Sequence, residues 1–99
     1  MKILQVVPVA NEKIRLKKLL KDKERELRGK TTFSRKSEGT WVHVKHPGSI
    51  VWSEGTGGFL IAEIRPKRGA SDGQLLQAFI GYLDRHLGPH IDSISIYYR

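Results

Sequence analysis

The chain has 99 residues, 18 Lys and Arg against 10 Asp and Glu for a formal net charge of +8, and a hydrophobic fraction of 38%. That length suits one α+β domain over residues 1–99 with one core. The absence of cysteine excludes a disulfide framework, thiol catalysis and Cys-ligated zinc or iron–sulfur centres, and leads us to expect a reducing, cytoplasmic setting.

The N-terminal run Lys2 to Val9 is β-branched and mostly apolar and reads as a strand, with Pro8 confining it to an end or an edge. It lacks the apolar core of a signal peptide, and no segment has the length of a membrane span. Asn11 is the expected N-cap of a helix running to about Arg28, with Gly29 as its stop. On this helix Leu16, Leu19, Leu20 and Leu27 form an apolar stripe that Lys23 interrupts. The opposite side carries Lys17, Lys18, Lys21, Arg25 and Arg28 with no acid among them, and Ile14 falls there too unless the helix starts later.

A β-rich middle follows. Thr31–Lys36 is a possible strand and Ser37-Glu38-Gly39 a turn, then Trp41–His46 alternates. His46-Pro47-Gly48-Ser49 has the Pro-Gly centre of a type II turn. Ile50–Ser53 and Phe59–Arg65 are strands joined by the glycine-rich Glu54–Gly58, so residues 41 to 65 should form an antiparallel meander. After the basic loop Arg65-Pro66-Lys67-Arg68-Gly69, Ser71-x-x-Gln74 has the form of a capping box opening a helix from about Asp72 to Leu87, which Gly88-Pro89 ends. Ile91–Tyr98 alternates as a half-buried last strand. The expected fold is α+β in the order β-α-(β)-β-β-β-α-β, with two helices packed on one face of a single mainly antiparallel sheet. The stretch from the first helix to the second resembles double-stranded-RNA-binding domains in element order alone, and the two outer strands depart from that pattern.

The positive charge is local. Eleven basic and three acidic residues lie between Lys13 and Lys36, so this segment alone carries +8 and the rest of the chain sums to zero. Like-charged neighbours at i,i+4, Lys17–Lys21 and Lys21–Arg25, each cost a few tenths of a kcal/mol, roughly, so a solvated face with no role would gain by breaking them. The leading expectation is therefore contact with the phosphate backbone of RNA or DNA through Lys17, Lys18, Lys21, Arg25 and Arg28. Lys67 and Arg68, just before a helix start, would extend that site if they face the same way. The alternative is a module that docks on an acidic protein partner, with the basic face steering encounter.

Other chemistries find little support. Trp41, His43 and Lys45 share one side of a strand and, with Phe59, would make a base-stacking platform if exposed; cross-strand or core packing is the expected role. His43 and His46, three apart on one strand, should point to opposite faces, and His86 and His90 straddle a helix break, so no metal site is expected. Gly55-Thr56-Gly57-Gly58 opens no helix and lacks a following Lys, which makes it a hairpin loop and not a phosphate cradle. No catalytic set is suggested by spacing, and a metal-free nuclease using His43 or His46 ranks third. No cofactor and no membrane partner are expected, and exposed strand edges leave a homodimer open.

Overall fold

The computed structural model describes all 99 residues. Its elements are β1 (Lys2–Pro8), α1 (Leu16–Glu26), β2 (Phe33–Ser37), β3 (Thr40–His43), β4 (Ser49–Glu54), β5 (Leu60–Arg65), α2 (Gly73–Leu87) and β6 (Ile91–Tyr98). The six strands form one sheet in the order β2-β3-β4-β5-β1-β6, and every neighbouring pair is antiparallel. Strands β3 to β5 are the meander expected over residues 41 to 65, and β2, placed at Thr31–Lys36 as a possible strand, forms at Phe33–Ser37 and extends it. The first strand inserts between β5 and β6, so each helix bridges two strands that run the same way: α1 carries the chain from β1 to β2, and α2 from β5 to β6.

Alternation along the strands decides which face the helices cover. Leu4 and Val6 of β1, Ile50 and Trp52 of β4, and Leu60, Ala62 and Ile64 of β5 are buried on one side. Leu16 and Leu20 of α1 and Leu75, Phe79, Leu83 and Leu87 of α2 pack onto them as one core. On the other face Ile3, Gln5, Val51, Ile61 and Glu63 are only half-buried, and no element covers them. Both helices thus lie on the same face, as their one-sided apolar stripes require.

The helix ends depart from expectation, each for a local reason. Asn11 is not a cap: it takes φ +65° in a turn, a left-handed conformation that a short polar side chain tolerates. The following Glu12 is tied to His90 at 2.8 Å, and α1 begins only at Leu16. Ile14 accordingly precedes the helix and is exposed. Gly29 does sit just past the last turn with φ +76°, although α1 itself stops at Glu26. At the start of α2, Ser71 Oγ accepts the Gly73 amide at 3.2 Å, but Gln74 is exposed and makes no reciprocal bond back. Asp72 turns inward instead and pairs with Lys2 Nζ at the start of β1, so a charge pair pins the start of the second helix to the strand next to the β6 edge. That pair holds the Asp72 carboxyl below its ordinary range.

The strand expected over Trp41–His46 ends at His43. Val44 is 72% exposed, and the chain bends there toward the β4 turn. Gly48 meets that turn with φ +117° against the carbonyl of Arg65. No helix is long and apolar enough to cross a membrane.

Candidate functional site

Of the five cations singled out by charge, Lys17, Lys18, Lys21 and Arg25 lie on α1 and Arg28 just past its end, and their partners separate them into two kinds. Lys18 meets Asp22 at 3.4 Å one turn on, and Lys21 meets Glu38 of the β2–β3 turn at 3.1 Å. The second contact pulls the Glu38 carboxyl below its usual range, chiefly by the hydrogen bond from Lys21. Lys17, Arg25 and Arg28 have no carboxylate within 4 Å, and neither does Arg35 on the adjoining β2. Arg15 joins the row from the other end through Glu54 of β4 at 3.1 Å.

These side chains line a run of adjoining depressions. The first holds Arg15, Lys17, Lys18, Lys21 and Arg25. The next lies between α1 and the β2–β3 hairpin, where Lys21, Arg25, Arg28 and Arg35 surround Glu24 and Glu38. The last is a cleft of about 350 Å³ in which Glu24, Arg28 and Arg35 meet Phe33, Trp41 and Tyr82. Arg35 reaches this groove because β2 is the outer strand beside α1, an adjacency that its sequence position does not disclose. Charge counting includes Arg35 but gives it no special place; only the sheet order does.

Lys67 and Arg68 stand elsewhere. Their loop leaves β5 at Arg65, beside Gly48, at the end of the β4–β5 hairpin remote from Glu54, where the groove begins. None of the depressions lined by α1 includes them. Both are exposed and without a carboxylate partner, but they do not continue the α1 row.

The wall of the aromatic cleft is closely packed. Trp41 and Trp52 are 2% and 3% exposed, so the tryptophans are core and not a stacking platform. The rings of Phe33, Trp41, Phe79 and Tyr82 meet edge to face at centroid distances of 5.1 to 6.1 Å, the geometry that aromatic quadrupoles favour. Trp41 Nε1 donates to Glu24 Oε1 at 2.6 Å, which ties α1 to β3 and orients that carboxylate. Tyr82 is almost wholly buried, yet its hydroxyl has no hydrogen-bond partner. Burial, then the charges of Glu24 and Glu26, pushes its pKa up to about 12, so the hydroxyl stays protonated and able to donate.

The histidines are arranged differently from the reading of an unbroken strand. Because the strand stops at His43, the His43 and His46 rings fall on the same side and stack with centroids 4.5 Å apart. His43 Nδ1 accepts the amides of Lys45 and His46 at 3.0 and 3.3 Å. That nitrogen is therefore occupied as a loop-closing acceptor. Burial first, then the neighbouring His46 and Lys45, lowers the His43 pKa. No group of three His, Asp or Glu side chains converges on a point that could hold a metal ion. Thr56–Gly58 forms a single 3-10 turn between β4 and β5, so the glycine run closes a hairpin. Compared with known proteins, the chain matches no family model, and no curated protein or solved structure is significantly similar to it.

Proposed function

We propose that the protein binds the phosphate backbone of a nucleic acid along the α1 flank and the β2 edge, with a preference for single strands. The observation that carries this reading is the set of Lys17, Arg25, Arg28 and Arg35, four cations spread along adjoining depressions with no carboxylate within 4 Å. A cation already held by a carboxylate must give that contact up to meet a phosphate; an unpaired one only releases counterions from the polyanion. The carboxylates between them are engaged, Glu24 by Trp41 and Glu38 by Lys21.

The preference for single strands rests on the cleft at the end of the row. A space of about 350 Å³ accommodates one base or sugar, with Arg28 and Arg35 at its rim and the rings of Phe33, Trp41 and Tyr82 in its wall. A duplex keeps its bases stacked and paired, whereas a single strand turns one out at little cost.

The test is fluorescence anisotropy with labelled single-stranded RNA, single-stranded DNA and both duplexes, from low to physiological salt. Four phosphate contacts predict a slope of log K against log salt of about −3 for a single strand. Arg25→Glu with Arg28→Glu should weaken binding at least tenfold, since each reversal replaces an attraction by a repulsion, while circular dichroism remains unchanged because both side chains are exposed. Unchanged affinity in the double variant would refute the reading. If no nucleic acid binds at physiological salt and a defined acidic protein is retained at high salt, the same face is a protein-docking surface.

A further inference from the structure

The two edges of the sheet are built differently. Edge strand β2 has five residues, carries Arg35 and Lys36, and loses register against β3 between Arg35 and Ser37. Charge, brevity and irregularity are the usual devices by which an edge avoids pairing with another chain. Edge strand β6 has fewer of them: one acid, Asp92, and one register shift against β1, both at its start. It runs eight residues, Ile91–Tyr98, without a proline or a basic residue, and keeps register with β1 from Ser93 to Tyr98.

Its outward hydrogen-bonding groups can be named. The Arg99 amide donates to the Met1 carbonyl at 3.0 Å, so by antiparallel alternation the amides of Tyr97, Ser95 and Ser93 also face β1. Those of Ile94, Ile96 and Tyr98 then point away from the sheet and have no strand to meet. Ile94 and Ile96 pack against the rim of the core but stay only partly buried, and Tyr97 and Tyr98 are 47% and 74% exposed.

We infer that β6 is a homodimer interface, in which the β6 strands of two copies pair antiparallel about a two-fold axis at Ser95. In that register Ile94 lies opposite Ile96 of the second copy, so the aliphatic rim continues from one core to the next. Ser93 lies opposite Tyr97 of the second copy. Antiparallel pairing also brings Asp92, at the start of the strand, beside the second copy's Arg99 just past its end, and the two-fold repeats that charge complementarity at the other end. The basic segment does not oppose the approach. Its groove lies over β2 to β4, and β5 and β1 intervene before β6. Three strand spacings are roughly 14 Å, longer than a Debye length of about 8 Å at physiological salt.

Sedimentation of the purified protein over a range of concentrations, combined with site-directed cross-linking, tests this. Ser95 is exposed on the uncovered face and would face its own copy in a non-hydrogen-bonded pair, where Cα atoms are about 4.5 Å apart and a disulfide is feasible. Ser95→Cys should therefore oxidise to a covalent dimer, whereas Ser93→Cys, four positions out of register with itself, should not. Ser95→Lys, which sets two ammonium groups face to face without entering the core, should sediment as a folded monomer. A wild type that stays monomeric at high micromolar concentration overturns the inference. So does a dimer that survives Ser95→Lys or fails to cross-link through Ser95→Cys. None of these outcomes depends on nucleic-acid binding.

Discussion

Tyr82 carries one of three buried side-chain polar atoms without a hydrogen-bond partner, the others being Trp52 Nε1 and Glu54 Oε1. A buried hydroxyl without a partner forfeits its bonds to water, and Phe in its place would keep the edge-to-face contacts with Phe33 and Trp41. Tyr82→Phe should raise stability by about 1 kcal/mol, a rise in Tm of roughly 4–8 °C for a chain of this size. The hydroxyl lies beneath the cleft surface, so the same change should leave single-strand binding unaltered. Parallel thermal melts and anisotropy read both effects, and a loss of affinity would mean that the cleft opens to expose the hydroxyl. A second residue-scale effect concerns His43 and His86. Burial first, then neighbouring positive charge, holds both below the ordinary histidine value of 6.5. The unfolded chain, titrating near that value, binds protons that the folded sites resist. Stability is therefore complete above pH 6.5 and falls as pH drops through 6.5 toward the folded values. Denaturant midpoints at about pH 7.5 and about pH 5.5 should show this loss, and His86→Gln should reduce it. An undiminished loss in that variant would assign the effect to other groups.

Among the elements, the turn before β4 is the least forgiving. A Cβ on Gly48 would lie 2.5 Å from the Arg65 carbonyl and 3.1 Å from Leu75 Cδ2, at a φ of +117° that side chains rarely adopt. Gly48→Ala should cost about 3 kcal/mol, measured as a shift in denaturant midpoint; a cost under about 1 kcal/mol would mean that the turn relaxes easily. This turn was legible from Pro47-Gly48, because local backbone chemistry dictates it. So were the two amphipathic helices and the β3–β5 meander, whose periodicities and short connections are also local properties. What the sequence did not disclose is non-local: that β1 inserts beside β5, that Asp72 spends its carboxylate on Lys2 and not on a cap, and that the chain folds His43 against His46 once the strand ends. The candidate site divides along the same line. The α1 cations could be read from a helical wheel, whereas Arg35, Glu24 and Tyr82 join them only through the sheet order and the docking of α2. Lys67 and Arg68, close to a helix start in sequence, are distant from the row in space for that same reason.

At the scale of the whole molecule, the strand order sorts charge from hydrogen-bonding capacity. The edge beside α1 carries the unpaired cations and closes itself to further strands; the opposite edge is nearly uncharged and open. A molecule with its excess positive charge gathered toward one border possesses a large permanent dipole lying across its strands. Near a polyanion, the resulting torque turns it before contact, so a much greater share of encounters begins with the correct border leading. The same asymmetry fixes the posture of a protomer on any flat anionic surface: it leads with the α1 border and holds β6 on the far side, where a second copy can reach it.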